Sequence, residues 1–152
     1  MEFKPVVFYI GEEQYGIDIN IVRGIEKTMQ VVPMPNANPI IKGIINLRGD
    51  VVPICSLRRK FNKPDKEYDD DTKFIIVKTD TLLLGLEVDA VGDIQNIEEK
   101  DIFDVPKIVV TDTTQYYSNV INKNGKLIVM LDINKLMSDS EMKVLEETIQ
   151  SL

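Results

Sequence analysis

Gly43-Ile44-Ile45-Asn46-Leu47-Arg48-Gly49-Asp50-Val51-Val52-Pro53 places β-branched apolar runs on either side of a polar break. Val and Ile fit a pleated, half-buried surface. Asn46 and Gly49 suit a turn that needs positive φ or a side-chain bond to the backbone. The stretch is expected to be strand, turn, strand. The same pattern returns at an offset of 76: Ile121-Asn122-Lys123-Asn124-Gly125 answers Ile45-Asn46-Leu47-Arg48-Gly49. Leu127-Ile128-Val129-Met130-Leu131-Asp132-Ile133 then answers Val51-Val52-Pro53-Ile54-Cys55-Ser56-Leu57.

A second repeated hairpin precedes each of these. In the first copy it is Val6-Val7-Phe8-Tyr9-Ile10, a loop at Gly11-Glu12-Glu13-Gln14, and Tyr15-Gly16-Ile17-Asp18-Ile19. In the second it is Ile75-Ile76-Val77, a turn at Thr79-Asp80-Thr81, and Leu84-Gly85-Leu86-Glu87-Val88-Asp89. They align without gaps at an offset of 69: Gly16 falls on Gly85, Ile17 on Leu86, Val22 on Val91 and Ile25 on Ile94. Ile17, Ile19 and Ile21 alternate with Asp18 and Asn20, which predicts a half-buried strand running to Ile21. The offsets differ by seven, which one insertion in the second copy, between about residues 97 and 118, accounts for.

The chain is therefore expected to be all-β, with two similar units of four or five strands at about 3–66 and 72–137. Strand exchange at their ends is compatible with the pattern. Such units curl into barrels because closure removes unpaired edges. The polar stretch 62–71 is the expected connection. Its run Asp69-Asp70-Asp71 lacks the glycine and terminal glutamate of a calcium loop and is expected to be solvated. Residues 36–41 are expected to form a short turn, and 138–152 a C-terminal helix. Ser138 and Glu141 have capping-box spacing, and Met142, Leu145, Ile149 and Leu152 follow at helical spacing. That face either packs on a barrel or docks a partner.

A chain of 152 residues buries about 68–70% of its unfolded surface, enough for a core without disulfides or metal. The net charge is −7 and the basic residues cluster only at Arg58-Arg59-Lys60. That disfavours nucleic acid and an anionic membrane surface. Cys55 is the sole cysteine, which fits a reducing cytosol. The start lacks the basic and apolar segments of a signal peptide, and no run approaches the ~20 apolar residues of a spanning helix. A cytoplasmic protein with no direct membrane insertion is the expectation.

Histidine is absent. That removes the commonest general base, the commonest metal ligand and the Ser-His-Asp triad. One cysteine makes a zinc site improbable, and neither a P-loop nor G-x-G-x-x-G occurs. Cys55 lies in an apolar run and is expected to be a buried, inert thiol. No catalytic residue, metal or cofactor is assigned, which leaves recognition. Arg48 is the odd residue of the central turn: its guanidinium either pairs with a local carboxylate or reaches outward.

Gly43-x-x-Asn46-Leu47-Arg48-Gly49-x-x-x-Pro53 resembles the central signature of the CheW family, the coupling proteins of bacterial chemotaxis. Tyr15-Gly16-Ile17-Asp18-Ile19, Ile41-Lys42-Gly43, Leu57-Arg58-x-Lys60-Phe61, Gly85-Leu86-x-Val88-Asp89 and Leu131-Asp132-Ile133-x-Lys135-Leu136 resemble further family blocks in the same order. The resemblance runs from about residue 3 to 145 and implies a single CheW-like domain over about 3–147. It implies two SH3-like five-stranded barrels packed together, and no enzymatic activity. The implied role joins the cytoplasmic tips of methyl-accepting chemoreceptors to the regulatory domain of the histidine kinase CheA, at membrane-bound receptor clusters. A scaffold of the same fold serving a non-chemotaxis receptor–kinase pathway is the alternative.

By position, the resemblance implies a receptor-facing groove at Val22, Ile25 and Arg48. It implies a kinase-facing surface over residues 103–108, with Phe103 and Ile108 as anchors. Two departures stand out. The family usually carries an acid where Gly24 stands, and Arg23 adds a cation beside it. The family also usually has Asp where Ser56 stands.

Overall fold

The computed structural model describes residues 4–34, 38–94, 96–105 and 115–152. β1 (Pro5–Ile10) and β2 (Glu13–Asp18) form a hairpin across the two-residue turn Gly11-Glu12. This is tighter than the four-residue loop expected. Gly11 makes it possible: its φ is +61, and its N–H donates to the Asp89 carboxylate at 2.7 Å. β2 also stops at Asp18, short of the expected end at Ile21. The Asp18 carboxylate accepts the Asn20 N–H and starts a 3-10 turn over Ile19–Ile21.

There follow β3 (Val22–Lys27), β4 (Ile41–Leu47), β5 (Asp50–Ser56) and the one-turn helix α1 (Leu57–Lys60). Next come β6 (Lys73–Lys78), β7 (Leu83–Val88), β8 (Ala90–Val91), β9 (Ile102–Asp104), β10 (Tyr117–Lys123), β11 (Lys126–Leu131) and α2 (Asp139–Gln150). Of the turn expected over 36–41, residues 36 and 37 lie outside the described residues; residues 39 and 40 form a turn leading into β4.

One sheet runs β3-β6-β7-β5-β4, the other β8-β1-β2-β11-β10-β9. The expected units at 3–66 and 72–137, for which strand exchange was left open, trade hairpins across these sheets. The first hairpin, β1–β2, leaves its own half and joins β10–β11, while its counterpart β6–β7 joins β4–β5. Each junction is a short parallel pairing through a glycine: Gly16 opposite Met130, and Gly85 opposite Ile54. In the repeat alignment these are the same pair. A Cβ on Gly16 would lie 2.6 Å from Met130 Sδ, and one on Gly85 2.5 Å from Ile54 Cδ1. The glycines thus let an apolar side chain from the parallel neighbour cross the strand. The fifth strands repeat too: Val22 pairs with Val77 as Val91 pairs with Phe8. The second sheet gains a sixth strand, β9, next to β10. In the first sheet that place is held by a single bridge between Val32 and Ile44.

Both sheet faces are covered, which is why β1 and β6 read as unbroken apolar runs. Phe8, Ile17, Ile75, Val77, Leu84 and Leu86 turn inward to a central cluster shared by the sheets, all fully buried. On the other faces, Val52, Ile54, Phe74 and Ile76 fill the first barrel, and Val7, Ile121, Ile128 and Met130 the second. Helix α2 opens with the capping box: the Ser138 hydroxyl accepts the Glu141 N–H, and the Glu141 carboxylate accepts the Ser138 N–H. It adds Met142 and Leu145 to the central cluster. Leu152 lies beyond the helix and is exposed. Among the described residues no helix is long and apolar enough to cross a membrane.

Candidate functional site

The central motif is mostly a set of instructions for one hairpin. Leu47 pairs with Asp50 across Arg48-Gly49. Both turn residues have positive φ, +50 at Arg48 and +93 at Gly49, the type I′ geometry that matches strand twist. Asn46 Oδ1 accepts the Gly49 N–H at 2.9 Å. Gly43 is required by close approach: a Cβ there would lie 2.1 Å from the Val32 carbonyl oxygen. Pro53 stands one residue before the parallel ladder with β7 begins at Ile54. Arg48 is the exception. A side chain in the left-handed region costs about 1–2 kcal/mol, and Asn, which the second copy has at Asn124 with φ +55, tolerates it better. Nothing in the turn asks for arginine.

The Arg48 side chain is 74% exposed, and its Nη2 donates to Glu26 Oε1 on β3 at 2.8 Å. Below the pair lies an open cleft of about 240 Å3, floored by Leu47, Ile76 and Leu83 and rimmed by Arg23 and Asp50. Arg23 donates to the Asn20 carbonyl at 2.9 Å.

Val22 and Ile25 are three residues apart, which in a regular strand would put them on opposite faces. A bulge between Val22 and Gly24 changes that. Val22 pairs with Val77 and Ile25 with Ile75, and both partners face the central cluster. The two residues therefore share a face, with Val22 partly buried and Ile25 44% exposed. Arg48 reaches the other face of β3, where Gly24 and Glu26 pair with Ile76 and Phe74. Val22 and Ile25 thus lie on one face of β3 and Arg48 on the other, so the three expected groove residues do not share a single face. Sequence reasoning missed Glu26, since an exposed ion pair across 22 positions leaves no pattern.

Phe103 is 52% exposed on β9, at the edge of the second sheet, opposite Val120. Val32 occupies the same place opposite Ile44 in the first sheet and is equally exposed. The matching of Ile44 with Val120 at the offset of 76 is the signal that could have found Val32. Ile108 lies outside the described residues.

The two arginines of the basic run are neutralised locally. Arg58 forms a two-point bond to Asp89 at 2.8 and 2.6 Å, and Arg59 one to Asp65 at 3.0 and 2.9 Å. Burial alone would raise the Asp89 carboxyl; the bonds from Arg58 and the Gly11 N–H outweigh it and leave it lowered. Glu87 is nearly buried, paired with Lys42 at 3.0 Å and accepting the Tyr68 hydroxyl. Burial, then that bond, pushes the Tyr68 hydroxyl up. Ser56, fully buried, sits beside Glu87 in the ladder and caps α1 through the Arg59 N–H. Burial pushes the Cys55 thiol up to about 12, so its thiolate is scarce. Among the described residues no group of three or more potential ligands is placed to hold a metal ion. Every buried side-chain polar atom among them has a partner.

The family model of the CheW-like domain matches residues 4–141. Chemotaxis protein CheW of Klebsiella aerogenes is 34% identical over 146 residues, covering 96% of this chain and 88% of that protein. Chemotaxis protein CheW of Bacillus subtilis is 31% identical, covering 88% and 86%. The crystal structure of the scaffolding protein TtCheW from Thermoanaerobacter tengcongensis superimposes with a TM-score of 0.84 at 32% identity, covering 93% of this chain and 96% of that one.

Proposed function

This chain belongs to the CheW family, and we propose that it is a non-catalytic chemotaxis adaptor joining membrane chemoreceptors to the histidine kinase CheA. The relatives named chemotaxis proteins, and the scaffolding protein that shares the fold, support this reading. It acts in the cytoplasm and is recruited to receptor clusters. Val22 and Ile25 offer apolar contact to the helical tip of a receptor, the helix-in-groove mode. Arg48 supplies the polar contact on the far side of β3. Phe103 is the described anchor for the CheA regulatory domain, an exposed aromatic of the kind that dominates interfaces, and Ile108 is assigned to the same surface.

The observation that carries the reading is Arg48. It holds an unfavourable backbone conformation at a turn whose other copy does without it, and it stays largely exposed. A side chain kept against local preference is better explained by a partner than by the fold. The test is Arg48→Asp in sedimentation with a chemoreceptor signalling fragment and CheA. Receptor association is expected to weaken about tenfold or more, with CheA binding and the melting temperature unchanged. Unaltered receptor association removes Arg48 from the contact.

A further inference from the structure

We propose that Asn124 is a site of spontaneous deamidation, and that its turn is suited to the reaction while the matching turn of the first copy is not. Asn124 is the only asparagine in the chain followed by glycine. Asn124 and Gly125 are exposed at the tip of the β10–β11 hairpin, between the paired Lys123 and Lys126. Their φ values, +55 and +77, fit a type I′ turn. Type II′, the other tight hairpin turn, keeps the first positive φ and differs by a flip of the peptide between the two residues. The flip takes ψ of the first residue from about +30° to about −120° and φ of the second to about −80°. Glycine accepts either sign, and a Cβ at Gly125 would meet nothing within 4 Å. The Lys123–Lys126 pair can therefore stay closed while the peptide turns over.

The flipped turn is the reactive one. A planar ring joining Asn124 Cγ to the Gly125 nitrogen eclipses Cβ with that nitrogen, which at an L-residue sets ψ near the same value of about −120°. The Gly125 amide gives up its proton and its nitrogen attacks Cγ. The side-chain nitrogen leaves as ammonia, taking up that proton, and a cyclic imide remains. Water then cleaves one of the two ring C–N bonds. Cleavage at Cγ gives aspartate. Cleavage at the main-chain carbonyl gives isoaspartate, whose backbone runs through Cβ and Cγ and is one atom longer. The exchange is hydrolytic and redox-neutral, and either product adds a negative charge. The first copy is barred from it twice. Arg48 has no amide, and the Gly49 N–H is held by Asn46 Oδ1 at 2.9 Å, a bond the flip would break. Asn122 stands where Asn46 stands, yet no acceptor among the described residues holds the Gly125 N–H.

The test ages the full chain in mildly alkaline buffer and follows it by ion exchange and peptide mass spectrometry with electron-transfer fragmentation. Asn124 is expected to lose its amide first among the asparagines, giving a more acidic species with isoaspartate at 124. Asn124→Gln is expected to abolish both signals. Arg48→Asn gives the first turn the same residue pair with its N–H held. The amide at 48 is then expected to be lost about fivefold more slowly than that at 124, and adding Asn46→Ala to bring the two rates together. Survival of the 124 amide in the folded chain, against its loss from the urea-unfolded chain in the same buffer, overturns the proposal. Equal loss at 48 and 124 with Asn46 in place overturns the claim that the free N–H selects the second copy.

Discussion

Replacing Gly43 by alanine isolates what the central motif contributes to the fold. The new Cβ would stand 2.1 Å from the Val32 carbonyl oxygen, 2.7 Å from its carbon and 3.0 Å from Pro33 Cα. These are backbone atoms, so no rotamer change relieves the overlap. The strap before β4 must lift away. It is held there by two bonds, Val32 N–H to the Ile44 carbonyl and Ile44 N–H to the Val32 carbonyl, both 2.9 Å. At about 0.5–1.5 kcal/mol each, their loss costs about 1–3 kcal/mol. Met29 and Val31, which pack on the first barrel's cluster, loosen with it and add about 1 kcal/mol. Gly43→Ala is therefore expected to lose about 2–4 kcal/mol. In urea the midpoint should fall with little change in slope, and the melting temperature should drop by roughly 2–4 °C per kcal/mol. Hydrogen exchange should speed up first at the Val32 and Ile44 amides. A loss below about 0.5 kcal/mol, or faster exchange spread evenly over both sheets, would refute the close-approach account of this glycine.

Ser56→Asp tests the second departure from the family pattern. Aspartate is as good an N-cap as serine, so capping alone predicts no loss. Its carboxylate would be buried beside that of Glu87, whose cation Lys42 is already engaged. A loss on the order of 3 kcal/mol is expected for an uncompensated buried charge. The new carboxyl should have a raised pKa, so the loss is present at neutral pH and shrinks as acidification protonates it. Adding Glu87→Gln should recover most of it in urea unfolding; a single variant as stable as the parent at neutral pH rules the clash out. Cys55 should resist iodoacetamide at about pH 8 in the native protein and react fully in urea, because its buried thiol is pushed up to about 12. Native labelling at the rate of a free thiol contradicts that burial.

Gly16 and Gly85 show why the repeat was legible while the exchange between copies could only be left open. Both glycines sit where a parallel neighbour's side chain crosses the strand, and the alignment pairs them without a gap. That alignment is also what hides the exchange. Met130 and Ile54 are equivalent apolar residues, so each glycine suits either one, and pattern alone cannot choose between partners. In the structure β1–β2 joins the second barrel and β6–β7 the first. The bulge in β3 was hidden for a related reason. Val22 and Ile25 look like opposite faces until one extra residue is spent between them. Within the two barrels the legible part is thus what both copies share, and a shared feature is one the fold needs. Partner-specific residues must then be sought where the geometry repeats and the side chain does not. Arg48 against Asn124 at matched positive φ is one such place. Val32 against Phe103, at matched edge positions, is another. At these places the backbone is accounted for, and the difference in side chain is left for a partner to explain.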